Sequence, residues 1–122
     1  MVNPITDDST FVQQVEKARI ASARANATEP RAIAASYDPV NRLIIIHLKS
    51  GAIFSFPPDI AQGLANAVTE DLAEIEITPN GEGLHWSKLD ADFTISGLMM
   101  GMFGSKRWMA ELHRQWATEQ VS

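Results

Sequence analysis

The chain has 122 residues, 45% of them hydrophobic, which is enough for one domain that buries a core without disulfides or metal. It contains no cysteine, so a disulfide scaffold, a thiol nucleophile and a thiolate metal site are excluded. The formal net charge is −5, but the segment from Asp59 to Asp92 carries −7 and the rest of the chain +2. Such an acidic centre argues against a phosphate backbone as the partner of that face.

The first 30 residues predict a helical arm. Apolar residues recur at helical spacing from Phe11 through Val15, and the pattern indicates a helix from about Ser9 to Ala25. The opening residues lack the basic and apolar regions of a signal peptide, and no apolar run is long enough to cross a bilayer. We therefore expect a cytoplasmic protein that does not enter a membrane.

Residues 31–58 predict a meander of three strands, so the sheet should be at least partly antiparallel. We expect the strands at Ala32–Tyr37, Arg42–Leu48 and Ala52–Phe56, with a turn at Asp38–Asn41 between the first two. The unbroken Leu-Ile-Ile-Ile run in the second strand predicts burial on both of its faces.

The next part of the chain predicts mixed structure. We expect a short helix at Pro58–Val68, and then a strand at Glu74–Thr78 that pairs with Leu84–Lys88. Asp90–Thr94 is interpreted as the start of a helical stretch that continues through Met102.

The final helix is expected to be capped by Ser105 and to reach about Glu119. The predicted fold is α+β, a small and mostly antiparallel sheet with flanking helices at both termini. It forms a single domain over residues 1–122, divided into a helical arm (1–30), an α+β core (31–104) and a C-terminal helix (105–122).

Polar residues in the last predicted strand and directly after it give a candidate for chemistry. His85 and Trp86 precede Asp90 and Asp92, and we interpret them as one motif loop in which His85 is hydrogen-bonded and the acids cap a helix. The alternative is that His85 meets Asp90 or Asp92 as an acid/base pair or a metal site. Because no nucleophile elbow, phosphate-binding loop or metal-ligand spacing is present, we assign no catalytic, cofactor or metal residue.

The last helix offers a candidate partner surface. Four residues form its apolar stripe, and they are either core or binding residues: Trp108, Met109, Leu112 and Trp116. Basic residues of the predicted first helix, Lys17, Arg19 and Arg24, leave nucleic-acid binding open as an alternative.

An ordered series of short motifs resembles a bacterial family catalogued only as domain of unknown function 2442. The series comprises Tyr37-Asp38, Arg42-Leu43, Gly51, Phe54–Pro58, Thr69–Ala73, Ile75, Gly83–Trp86, Leu89–Asp92, Gly97-Leu98, Gly101 and Phe103-Gly104. The resemblance implies a small cytosolic α+β domain, often encoded beside another short gene in a toxin–antitoxin-like arrangement. It implies no catalytic residues. Some relatives carry a helix-turn-helix, for which the single helix after Gly104 is too short.

We therefore expect a non-catalytic, antitoxin-like regulatory module that binds and occludes a protein partner. The alternatives are a nucleic-acid-binding regulator, an acidic inhibitor that mimics nucleic acid, and a small enzyme using His85. Homodimerisation is a further expectation, because small domains with spare apolar helices gain stability by pairing.

Overall fold

The computed structural model describes residues 11–17 and 29–121 of the chain. Residues 11–17 are helical and are called α1 here. The remainder of the helix predicted from Ser9 to Ala25, with Arg19 and Arg24, lies outside the described residues.

Two three-stranded antiparallel sheets form the core of the described chain. Sheet A consists of β1 (Ala32–Asp38), β2 (Leu43–Leu48) and β3 (Ile53–Phe56), with β2 in the centre. Sheet B consists of β4 (Ile75–Ile77), β5 (Gly83–Trp86) and β6 (Ala91–Thr94), with β5 in the centre. The predicted α+β class and antiparallel pairing are therefore confirmed, with the strands divided between two sheets.

Short helices complete the domain. A 3₁₀ turn spans Pro58–Ile60, α2 spans Thr69–Ala73 and α3 spans Ile95–Met99. The C-terminal helix α4 runs from Lys106 to Val121 and begins, as predicted, after Ser105, whose Oγ accepts a hydrogen bond from the Trp108 N–H at 3.1 Å.

The two sheets meet along one edge, where β1 lies beside β4. The Ala32 N–H donates to the Gly81 carbonyl at 2.8 Å. Gly81 has a φ of 72°, and a Cβ at this position would lie 2.6 Å from the Ala32 carbonyl oxygen. Glycine at this turn therefore allows the backbones of the two sheets to come together.

The core lies between the inner faces of the sheets and is closed by α2 and α3. Its fully buried side chains include Ile44, Ile46, Leu64, Leu72, Leu84, Trp86, Ile95 and Leu98. The indole of Trp86 is the largest of them, and its Nε1–H donates to the Leu72 carbonyl at 3.0 Å. This bond satisfies a buried donor and joins sheet B to α2.

Burial in β2 alternates instead of covering both faces as predicted. Ile44 and Ile46 are buried, Leu43 and Ile45 are half-buried, and His47 is exposed. The side chains alternate because successive residues of a strand point to opposite faces of the sheet, and only one face of sheet A meets the core.

Two helix predictions were wrong. Most of Pro58–Val68 is not helical, because Gly63 and Asn66 adopt left-handed φ values of 88° and 66°, which interrupt a right-handed helix. The segment Asp90–Thr94 was expected to begin a helix, but Ala91–Thr94 is strand β6, which pairs with β5.

Asp90 and Asp92 consequently do not cap a helix. Asp90 adopts a φ of 49° in the turn before β6, and Asp92 lies within the strand. The residue that caps α3 is Thr94, whose Oγ1 accepts a hydrogen bond from the Gly97 N–H at 3.0 Å.

Substituting Trp86 should weaken the fold strongly. Trp86→Phe removes the donor to the Leu72 carbonyl and part of a fully buried side chain, and we expect the free energy of unfolding to fall by about 2–4 kcal/mol. Urea unfolding followed by circular dichroism measures this. The matched variant Trp116→Phe changes an exposed indole and should stay within about 0.5 kcal/mol of the wild type; equal effects of the two changes would contradict the assignment of Trp86 as the core residue.

Candidate functional site

The first two turns of α4 are fastened to the core. The half-buried Trp108 donates its indole N–H to the Ile60 carbonyl at 2.8 Å. The Met109 sulfur accepts the Phe103 N–H at 3.3 Å, and the Ser105 N–H donates to Gln62 Oε1 at 2.8 Å. Trp108 and Met109, two of the four residues of the predicted apolar stripe, therefore hold the helix against the core.

The distal part of α4 leaves the core. Leu112 is half-buried, and every residue from 113 to 118 is exposed. Trp116 lies on the same face of the helix as Leu112, one turn further on, and the residue is 48% exposed. The ring of His113 packs against Trp116 with centroids 5.7 Å apart. The stripe thus continues past the core with an aromatic residue facing solvent.

A row of polar side chains crosses the outer face of sheet B. The buried side chains of Leu84 and Trp86 point inward, so His85 between them points outward. Its neighbours in register are Glu76 on β4 and Asp92 on β6. His85 Nδ1 lies 2.7 Å from Asp92 Oδ1, and its N–H donates a hydrogen bond to that carboxylate.

The carboxylates around His85 favour its charged form. The pKa of His85 is raised above 6.5, first by the hydrogen bond to Asp92 and then by the charges of Asp92, Glu76 and Asp90, against the opposing effect of desolvation. The pair is accessible to water, because the Asp92 side chain is 73% exposed. It therefore forms a charged, solvated feature of the surface.

His85, Trp86, Asp90 and Asp92, which the sequence suggested as one motif loop, do not form a single loop in the structure. Trp86 is a core residue, Asp90 lies in a turn, and His85 meets Asp92 through strand pairing. The predicted hydrogen bond of His85 is present, and the contact required by the alternative acid/base interpretation is made by Asp92.

Two features of these surfaces were not predicted. Glu76 lies beside His85 on the outer face of sheet B. The alternation of charged and apolar residues in the predicted strand Glu74–Thr78 indicated that its side chain would face outward. Three methionines at the end of α3 and in the segment that follows it are also exposed, namely Met99, Met100 and Met102. Their exposure depends on α3 ending at Met99, which the sequence pattern did not show.

Within residues 11–17 and 29–121, no group of three or more histidine, aspartate or glutamate side chains is arranged to hold a metal ion. Among the helices of that same part of the chain, none has the length and apolar character needed to cross a membrane.

The fold and these surfaces define a small two-sheet α+β domain with a projecting C-terminal helix. The chain belongs to the family described as protein of unknown function (DUF2442), whose model matches residues 32–104. The match covers both sheets and α3 but neither α1 nor α4. No curated protein matches the chain.

Two solved structures resemble this one. A crystal structure of a protein of unknown function from Rhodospirillum rubrum is 48% identical, with a TM-score of 0.65, and the match covers 67% of this chain and 99% of that one. A solution structure of an uncharacterized protein from Chromobacterium violaceum is 27% identical, with a TM-score of 0.62, covering 91% of this chain and 93% of that one. The Rhodospirillum rubrum structure is matched over nearly its whole chain, but a third of the present chain has no counterpart in it.

The His85–Asp92 pair should make stability depend on pH. Because the folded-state pKa of His85 is raised, its stabilising contribution is complete below pH 6.5 and is lost as the pH rises through the folded-state pKa. In an NMR titration, Asp92→Asn should lower the pKa of His85 toward 6.5. The control Glu70→Gln, an exposed acid that does not act on His85, should leave it unchanged; an unaltered His85 pKa in Asp92→Asn would disprove the assignment.

Proposed function

We propose that the protein is a non-catalytic protein-interaction module that acts in regulation, in the manner of an antitoxin, by occluding a protein partner. The observation that carries the proposal is the exposed continuation of the α4 stripe beyond the core. The helix is held at Trp108 and Met109, whereas Trp116 projects into solvent. This division refines the sequence expectation: the anchoring residues keep the helix in place and the distal residues make the contact.

The exposed part of α4 has the pattern of a helix that binds in an apolar groove. Leu112 and Trp116 are spaced by four residues and lie on one face, the arrangement of anchors in helix-in-groove recognition. Tryptophan is enriched among residues that dominate binding energy, because a large indole buries much apolar area with few rotatable bonds. The expected partner is therefore a protein with a hydrophobic groove about two helical turns long.

The opposite face of α4 is suited to remain in water. Arg114 donates from Nε to Glu111 at 3.0 Å, and both side chains are exposed. At 100° per residue these two lie across the helix from Trp116. A groove that receives the apolar stripe leaves this ion pair at the rim, where it contributes little to affinity.

Substitution at Trp116 tests the proposal. A partner is first captured from nuclease-treated lysate, and its binding is then compared for wild type, Trp116→Ala and the opposite-face control Arg114→Ala. Loss of a central aromatic anchor should weaken binding by about 30-fold or more, whereas the control should change it less than about 5-fold. Both variants should have the same free energy of unfolding as the wild type, since both side chains are exposed.

Binding that is indifferent to Trp116→Ala would reject α4 as the contact surface. Trp108→Ala makes a useful contrast because it removes the hydrogen bond to Ile60. We expect this variant to lower stability and to displace the whole helix, whereas Trp116→Ala should affect binding alone.

The acidic surface supports a second candidate, an inhibitor that binds a basic protein surface in place of nucleic acid. Glu76, Asp90 and Asp92 are close enough to act together on His85, so their negative charge is concentrated on one face. Glu70 in α2 and Glu74, between α2 and β4, are also exposed and lie nearby in sequence. Such a field attracts cationic surfaces and is weakened by salt.

Charge reversal distinguishes the two surfaces. If the acidic face is the contact, a variant with lysine at positions 70, 71, 74 and 76 should lose binding to the captured partner. The wild-type affinity should then also fall steeply as the salt concentration rises. If α4 is the contact, this variant should keep its affinity within about 5-fold and the salt dependence should be shallow.

A further inference from the structure

Strand β6 is an edge strand of sheet B. The order of the sheet is β4-β5-β6, so among the described strands β6 has a partner on one side only. The Ile95 N–H donates to the Glu82 carbonyl at 2.8 Å, which fixes the residues whose backbone groups face β5. These groups alternate in direction along an antiparallel strand, so the N–H and C=O groups of Asp92 and Thr94 point away from β5. An edge of this kind is a template for another strand.

A groove of about 480 Å³ lies at this edge. It is lined by residues 90–94 and by two further segments, residues 62–63 and 104–105. The Gln62 N–H donates to the Phe103 carbonyl at 2.8 Å, and Gln62 Oε1 accepts the Ser105 N–H at 2.8 Å, so these segments are held together. Several lining residues are glycines, at positions 63, 97 and 104, so no side chain of theirs fills the groove and a backbone can approach closely.

The side chains along β6 differ between the two faces of sheet B. Phe93 is half-buried on the inner face, and Met102, which is 49% exposed, also lines the groove. Asp92 lies on the outer face, and Asp90 is exposed in the turn before the strand. An added strand would alternate its own side chains between the same two faces. An occupant that fits therefore has apolar residues on one face and residues that match carboxylates on the other.

Negative charge at the edge selects a basic occupant. Asp92 uses Oδ1 to bind His85, and its side chain remains 73% exposed. A lysine or arginine opposite Asp92 forms a cross-strand pair of opposite charge, whereas an acid there is repelled. Two copies of this edge would bring Asp90 and Asp92 of one beside the same acids of the other, which disfavours pairing of the chain with itself. The charge therefore favours a cationic segment of another protein.

We propose that β6 binds an extended basic segment of another protein, in which lysine or arginine alternates with aliphatic residues, as an additional antiparallel strand of sheet B. Main-chain hydrogen bonds to Asp92 and Thr94 hold the segment. Its cationic side chains lie beside Asp90 and Asp92. Its aliphatic side chains lie beside Phe93 and Met102.

This contact goes beyond the occlusion proposed for α4, because it uses neither Trp116 nor any other residue of that helix. It shares Asp90 and Asp92 with the acidic surface of the second candidate. That candidate requires only the attraction of opposite charges, however, whereas the β6 contact also requires hydrogen bonds between backbones. The tests below separate these two requirements.

The first test measures hydrogen exchange at the edge. The probe is a short blocked peptide in which lysine and valine alternate, added to the isotope-labelled full-length protein and followed by NMR. The Asp92 and Thr94 N–H groups should exchange freely in the protein alone and at least about 10-fold more slowly with peptide bound. The Ile95 N–H, already bonded to Glu82, is the internal reference.

Two outcomes of this test contradict the proposal. Slow exchange of the Asp92 and Thr94 amides before peptide is added would assign the edge to a second copy of the chain or to another part of it. No binding of the unmodified peptide at about 1 mM would leave the edge without the expected affinity for a basic strand.

A pair of methylated peptides distinguishes backbone pairing from attraction between charges. In an antiparallel pair, the residue opposite Asp92 shares its face and directs its own N–H toward it, so the lysine amides of the peptide face β6. Methylation of the lysine backbone nitrogens should therefore weaken binding at least about 10-fold, whereas methylation of the valine nitrogens should change it less than about 3-fold. The two peptides carry the same charge, and equal affinities would overturn the proposal.

Matched variants of the protein locate the contact. Asp90→Asn with Asp92→Asn should weaken binding of the unmodified peptide about 5-fold or more, because two cross-strand charge pairs are lost. Glu70→Gln with Glu74→Gln removes the same charge ahead of β4, the opposite edge strand, and should change binding less than about 2-fold. All four side chains are exposed, so circular dichroism should show both variants folded. Equal effects of the two double variants would contradict the assignment to β6.

Trp116→Ala keeps this proposal separate from the proposed function. The variant should bind the peptide as the wild type does, because Trp116 lies on α4 and the groove at β6 does not include it. Loss of peptide binding in Trp116→Ala would overturn the β6 contact. Loss of the captured partner with unchanged peptide binding would support both contacts.

Discussion

The burial of Trp86 is the constraint on which the rest of the structure depends. An indole fully removed from water needs a hydrogen-bond acceptor for its N–H inside the core. Leu72 supplies that acceptor, its carbonyl oxygen, from α2, so the short helix, the inward face of β5 and the core are determined together. The same alternation turns His85 outward toward Asp92, so a packing requirement inside the domain creates the charged row on its surface.

The strands were predictable because their patterns have a physical cause that is local. The meander of sheet A has a turn in which Asp38 accepts hydrogen bonds from the N–H groups of Val40 and Asn41, and this chemistry is visible in the residues themselves. The segment Ala91–Thr94 was not predictable in the same way. Its acids resemble a helix start, and only pairing with β5 makes it a strand, which is a tertiary effect.

The functional surfaces were predictable in composition but not in arrangement. The spacing of Trp108 and Trp116 shows that they share one face of a helix, yet it does not show where the core ends. The division arises from Ile60 and Gln62, which fasten only the first turns of α4. Likewise, the contact between His85 and Asp92 follows from strand register, which a sequence spacing of seven residues does not reveal.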